Sequence, residues 1–170
     1  MAIKYHSNIR LMDNNILQIG TGGDLKLEHT GSHSNIYNTT GNLNFIQYAD
    51  DQDITFQCDD GSGGVEMYFF LDGSANGASP LTVFPDNSQL SFGSGPDAYV
   101  YHNGSDFYLD NYTGDFYITA QANDKDLILR SDDGSGGVTE YLRLDGSATT
   151  INVAKTMVFA DNAAAYFGAG

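Results

Sequence analysis

Tryptophan is missing from this chain, cysteine occurs once, and proline occurs three times in 170 residues. The single cysteine, Cys58, excludes an intrachain disulfide, so packing, strand pairing or association must hold the fold. Three prolines are too few for a proline-rich linker. Positive charge is also scarce: seven Lys and Arg stand against 22 Asp and Glu, for a formal net charge of −15. That balance argues against nucleic-acid binding, because phosphate backbones are gripped by Lys and Arg. It argues equally against an anionic membrane surface. Such acidity keeps a particle soluble and discourages sideways association. No apolar run approaches the roughly 18 residues of a membrane span, so no membrane insertion is expected. Met1 to Ser7 lacks the apolar stretch of a signal peptide. Runs free of Gly, Asn, Asp or Ser are short, which disfavours long helices.

What the chain does contain is an internal repeat. Asp59-Asp60-Gly61-Ser62-Gly63-Gly64-Val65 returns 73 residues later as Asp132-Asp133-Gly134-Ser135-Gly136-Gly137-Val138. Leu71-Asp72-Gly73-Ser74, Thr40-Gly41, His29 and Asp13-Asn14 return at the same offset, as Leu144-Asp145-Gly146-Ser147, Thr113-Gly114, His102 and Asp86-Asn87. A third copy, Asp161-Asn162, follows 75 residues further on, so the second unit carries two extra residues between Ser147 and Val158. Phe92-Gly93-Ser94-Gly95 then matches Phe167-Gly168-Ala169-Gly170. The organisation read from this is a partial repeat over 1–12, one unit over 13–85, a second over 86–160, and the start of a third over 161–170. The end reads either as a cut through a longer array or as a natural terminus.

Comparing the two units shows which side chains point inward. Leu25 and Leu27 correspond to Ala98 and Val100, and Leu43 and Phe45 to Phe116 and Ile118. Ile54 and Phe56 correspond to Leu127 and Leu129, and Phe69 and Leu71 to Leu142 and Leu144. Every pair is apolar at a spacing of two, while the interleaved positions change chemistry: Lys26 becomes Tyr99, Asn44 becomes Tyr117, Gln57 becomes Arg130. One constant face at period two is the signature of a strand buried on one side. Met67 matching Glu140 breaks the pattern. Cys58, in phase with Ile54 and Phe56, is expected to be a buried thiol. Gly- and Asp-rich segments separate strands that start about ten residues apart, the spacing of sandwiches, barrels and solenoids.

The expected fold is therefore all-β. Each strand offers only two or three inward apolar side chains, and a lone meander would leave its edges open. Three identical chains wound about one axis would share a core and pair their edges, giving an intertwined β-helix or β-prism shaft. The expected trimer core is Leu27, Phe45, Phe56, Leu71, Val100, Ile118, Leu129 and Leu144. The rival is a single-chain right-handed β-solenoid, whose rungs repeat near 20 residues; no such period occurs inside the 73-residue unit.

The segment from Asp86-Asn87-Ser88-Gln89-Leu90-Ser91-Phe92-Gly93-Ser94-Gly95-Pro96-Asp97 into Tyr101-His102-Asn103-Gly104-Ser105 runs on to Asn111-Tyr112-Thr113-Gly114. Asn38-Thr39-Thr40-Gly41 is the matching step of the first unit. In motif order this resembles the repeats of tail fibres and virion appendages of marine and cyanobacterial phages. The resemblance implies a homotrimeric, extracellular virion component that supports host adsorption, with other virion or tail proteins as partners. Against a complete fibre, the chain shows no separate virion-anchoring domain and no autoproteolytic chaperone domain or tip.

No catalytic residue and no cofactor are expected. Gly-x-Ser-x-Gly and phosphate-loop motifs do not occur. The Asp-Asp-Gly-Ser-Gly-Gly segments carry oxygen ligands suited to calcium, but they lack the twelfth-position Glu and flanking helices of an EF-hand, so a tight strand connection is the expectation. His29 and His102 are equivalent and would form rings of three imidazoles on a threefold axis. His33 becomes Asp106, so no paired metal site repeats. Tyr99, Tyr101 and Tyr117 replace Lys26, Glu28 and Asn44 on the outward face and are candidate contacts for a host surface glycan. The sequons at Asn38, Asn103 and Asn111 are expected by chance in so Asn-rich a chain. A carbohydrate-binding module on a fibre, or a bacterial surface adhesin repeat, is the alternative reading.

Overall fold

The structure, a computed structural model, describes residues 8–74, 79–166 and 168. The chain is all-β, with no helix among the described residues. Its contacts divide it into two units, Met1–Asp110 and Asn111–Gly170. The first unit holds three small sheets. They are β1 (Ile16–Ile19), β2 (Leu25–His29) and β3 (Ser34–Asn38); then β4 (Ile54–Asp59), β5 (Val65–Asp72) and β6 (Leu81–Val83); then β7 (Leu90–Phe92), β8 (Ala98–His102) and β9 (Phe107–Asn111), whose last residue passes the division. The second unit holds one sheet, β10 (Leu127–Asp132), β11 (Val138–Asp145) and β12 (Thr150–Val153). Each sheet is three consecutive strands in sequence order, and its resolved ladders are antiparallel.

The repeat is reproduced in register. Leu17 pairs with Leu27 and, 73 residues on, Leu90 pairs with Val100. Ile54 pairs with Leu71, and Leu127 with Leu144. Both long hairpins carry the same bulge, between Phe56 and Gln57 in the first copy and between Leu129 and Arg130 in the second. The bulged strand passes over Tyr68 or Tyr141 without a partner in the register, so its alternation shifts by one residue there. Met67 consequently lies opposite Gln57, and Glu140 opposite Arg130, on the face away from Phe56 and Leu129. This resolves the break in the apolar pattern: Met67 and Glu140 are outward positions that vary like their neighbours.

The repeated motifs are turns held by their own side chains. Asp60 Oδ1 accepts from the amides of Ser62 and Gly64, and Asp133 Oδ1 from Ser135 and Gly137. Asp59 and Asp132 cap the amides of Gly61 and Gly134 at 2.6 and 2.7 Å. These bonds to the ionised form hold the Asp60 and Asp133 carboxyls below the usual carboxylate range, led by the Ser62 amide and the Ser135 hydroxyl respectively. In Leu-Asp-Gly-Ser, a Cβ on Gly73 or Gly146 would strike the backbone carbonyl of Gln52 or Lys125, so only glycine fits. Asn38 Nδ2 donates to the carbonyls of Thr40 and Gly41, and Asn111 Nδ2 to those of Thr113 and Gly114. The Asp-Asn step puts Asn14, Asn87 and Asn162 at φ 64°, 66° and 66°, a conformation Asn tolerates. Asn162 therefore begins the third copy with the turn that begins the other two.

The structure corrects three expectations. Leu43–Phe45 and Phe116–Ile118 are not strands: 43–48 and 115–120 carry no regular structure, because a strand needs a ladder partner and neither segment has one within the chain among the described residues. Cys58 is exposed, since no described residue covers its side of β4. The two extra residues of the second unit are a net figure. The loop leading into β12 is four residues shorter than that into β6, and the stretch after it is six longer, as the pairings Arg143–Asn152 and Phe70–Val83 require. Of the match between Phe92–Gly95 and Phe167–Gly170, all but Gly168 lies outside the described residues at the second site.

Candidate assembly surface

Cross-strand pairing joins apolar side chains into rows on one face of the sheets. Leu17, Leu27 and Ile36 align across β1–β3, and Leu90 pairs with Val100 in the equivalent sheet. Phe56 stacks on Phe69 at 4.4 Å between ring centroids, and Phe69 on Phe84 at 5.6 Å, so three rings bridge β4, β5 and the residue after β6. In the second unit Leu129–Leu142–Val153 and Leu127–Leu144–Ile151 form parallel rows. The period-two pattern places these side chains on one face, and antiparallel pairing in matched register joins them into rows.

No side chain of these rows, and no other hydrophobic side chain, is buried among the described residues. Leu27, Phe56, Leu71, Leu129 and Leu144 are exposed, Phe56 by 42% and Leu129 by 52%, while Val100 is half-buried. Phe45 and Ile118, expected in the same core, are 62% and 57% exposed in irregular segments.

The opposite face differs between copies. Arg143 on β11 bonds Glu140 at 2.6 Å and Asp126 at 2.9 Å, where the first copy has Phe70 and Met67. The Arg143 bond holds the Glu140 carboxyl below its ordinary range, and the same contact raises the guanidinium. Tyr99 and Tyr101 lie together on the outward side of β8, joined by Tyr108 of β9, which stacks on Tyr101 at 4.8 Å. Sequence reasoning missed Tyr108; its counterpart Asn35, opposite Glu28, marks the position once the pairing is known. Tyr117, in the other unit, donates to Asp115.

His29 Nδ1 bonds the Ser34 hydroxyl at 3.0 Å, and His102 Nδ1 contacts Asp86 Oδ1 at 2.8 Å. Among the described residues no three His, Cys, Asp or Glu side chains are grouped to hold a metal ion. Comparison with protein-family models, curated proteins and solved structures gives no match.

Proposed function

We propose that this chain is a structural shaft segment that assembles as a homotrimer, its apolar rows turned toward a common axis, in a viral tail fibre or virion appendage that supports host adsorption. The observation that carries the assembly is the apolar rows on one face of the sheets, none of whose side chains is buried among the described residues.

Geometry favours three chains. Nine strands at about 4.8 Å spacing close into a ring of roughly 7 Å radius, or a triangular prism about 4 Å from axis to wall. Those values bracket the roughly 5 Å half-spacing of packed sheets, so apolar side chains can fill the axis. Twelve strands would leave a hole, and six would make a two-layer sandwich with open edges. The antiparallel hairpins also weigh against the single-chain solenoid, whose successive rungs pair in parallel. The unpaired segments at 43–48 and 115–120 carry apolar residues at period two and would find ladder partners on neighbouring chains. The virion assignment rests on the motif order shared with phage appendages.

Sedimentation equilibrium with negative-stain electron microscopy tests this. A species of three times 18.4 kDa forming short rods is expected. A folded monomer at micromolar concentration, or a compact globule, sinks the shaft.

A further inference from the structure

We infer that Asn103 is a self-modifying site. Its side-chain amide is displaced by the backbone nitrogen of Gly104, with His102 taking the proton, to give a succinimide and then an aspartyl or isoaspartyl residue. Only the β8–β9 connection and Asp86 are involved, so the site stands apart from both the shaft and the virion assignment.

The loop Asn103-Gly104-Ser105-Asp106 joins β8 to β9 and is closed by the Asn103 amide donating to the Asp106 carbonyl at 3.1 Å. Asn103 Oδ1 accepts from the amides of Ser105 and Asp106 at 2.9 and 2.8 Å. Two donors on one amide oxygen draw electrons from Cγ and stand ready for the oxyanion that attack would create. The nucleophile is the next backbone nitrogen, which Gly104 leaves unshielded by any Cβ at φ 95°. Its N–H donates to His102 Nδ1 at 3.1 Å, so a base already holds the proton that must leave. His102 Nδ1 also lies 2.8 Å from Asp86 Oδ1, and the imidazolium formed by taking that proton is met by a carboxylate. The departing Nδ2 donates to the Tyr108 hydroxyl at 3.3 Å. His102, Asn103 and Gly104 are exposed, so water reaches the ring that forms.

The bond from Gly104 N to Asn103 Cγ forms and the Cγ–Nδ2 bond breaks. The Gly104 amide proton passes to His102 Nδ1 and then, through solvent, to the departing nitrogen, which leaves as ammonia. Water adds to either carbonyl of the succinimide and opens it. The product carries a new carboxylate and, in the isoaspartyl form, an added main-chain carbon in the turn.

The first repeat shows that the turn does not require the carboxamide. Its loop, Thr30-Gly31-Ser32-His33, is closed by the equivalent backbone bond at 2.9 Å, and Thr30 Oγ1 accepts from the His33 amide at 3.1 Å. His29 Nδ1 bonds the Ser34 hydroxyl there instead. The chain's other Asn-Gly pair, Asn76-Gly77, follows Ala75 and supplies a reference for the dipeptide without a preceding histidine.

The protein is aged in mildly alkaline buffer, folded or in urea, and mapped by peptide mass spectrometry, with isoaspartate read by enzymatic methylation. Asn103 should convert about tenfold or more faster in the folded wild type than in urea. His102→Ala should slow conversion of Asn103 in the folded protein about tenfold or more, while Asn76 keeps its wild-type rate. Asn103→Thr installs the residue of the first copy and should fold with no methylation at 103. Conversion of Asn103 no faster folded than in urea, or at equal rates in wild type and His102→Ala, overturns the site. Slowing of Asn76 along with Asn103 also overturns it, by making the effect general. If His102→Ala does not fold, the comparison of folded with urea-treated wild type decides.

Discussion

Truncating Phe56 to alanine removes the end ring of the Phe56–Phe69–Phe84 stack and tests the proposed shared core. Phe56 keeps 42% of its surface exposed in the single chain, which for a side chain of roughly 200 Å² is about 84 Å². At about 25 cal/mol per Å², covering that area on assembly stabilises the trimer by about 2 kcal/mol per chain and about 6 kcal/mol in total. That corresponds to roughly four orders of magnitude in the three-chain association constant. The midpoint concentration varies as the square root of that constant, so it should rise about a hundredfold. Sedimentation equilibrium over a dilution series reads this directly, with Lys26→Asp on the opposite face as the control. Far-UV circular dichroism checks that strands survive in both. The reasoning fails if Phe56→Ala dissociates at the wild-type concentration, or if Lys26→Asp weakens the trimer as much.

Gly146→Ala should lower stability by roughly 1–3 kcal/mol in denaturant titration, because its Cβ meets the Lys125 carbonyl; an unchanged midpoint refutes that close approach. Gly136→Ala has open space around its Cβ at φ 89°, so its cost should be the conformational one alone, about 1–2 kcal/mol, and smaller than that of Gly146→Ala. Asp60 and Asp133 have depressed carboxyls, so their contribution is present above the ordinary carboxylate value of 3.8 and is lost as pH falls through the lower folded value. Melting temperature should then drop below pH 4 in wild type, and less steeply in the Asp60→Asn, Asp133→Asn double variant; equal slopes refute the capping role. Excess chelator or excess calcium should leave the melting temperature unchanged, whereas a fall of many degrees with chelator would make the Asp-Asp-Gly-Ser-Gly-Gly turns ion sites.

Period-two alternation compared between two copies of one unit marked which residues share a face of β2, β4, β8 and β10, and glycine with aspartate marked the turns between them. Both signals are local: a side chain two residues along a strand returns to the same face whatever the strand pairs with. The repeat likewise marked the third Asp-Asn copy, whose Asn162 takes the conformation of Asn14 and Asn87. What needed the tertiary structure depends on partners. The bulge after Phe56 and Leu129 re-aims Met67 and Glu140, and a bulge is a mismatch between two strands that neither strand encodes alone. Tyr108 joined Tyr101 only once β9 was laid against β8. Leu43–Phe45 and Phe116–Ile118 have the alternation of strands yet form none, because alternation supplies a face while hydrogen bonds require a neighbour, and neither segment has one among the described residues.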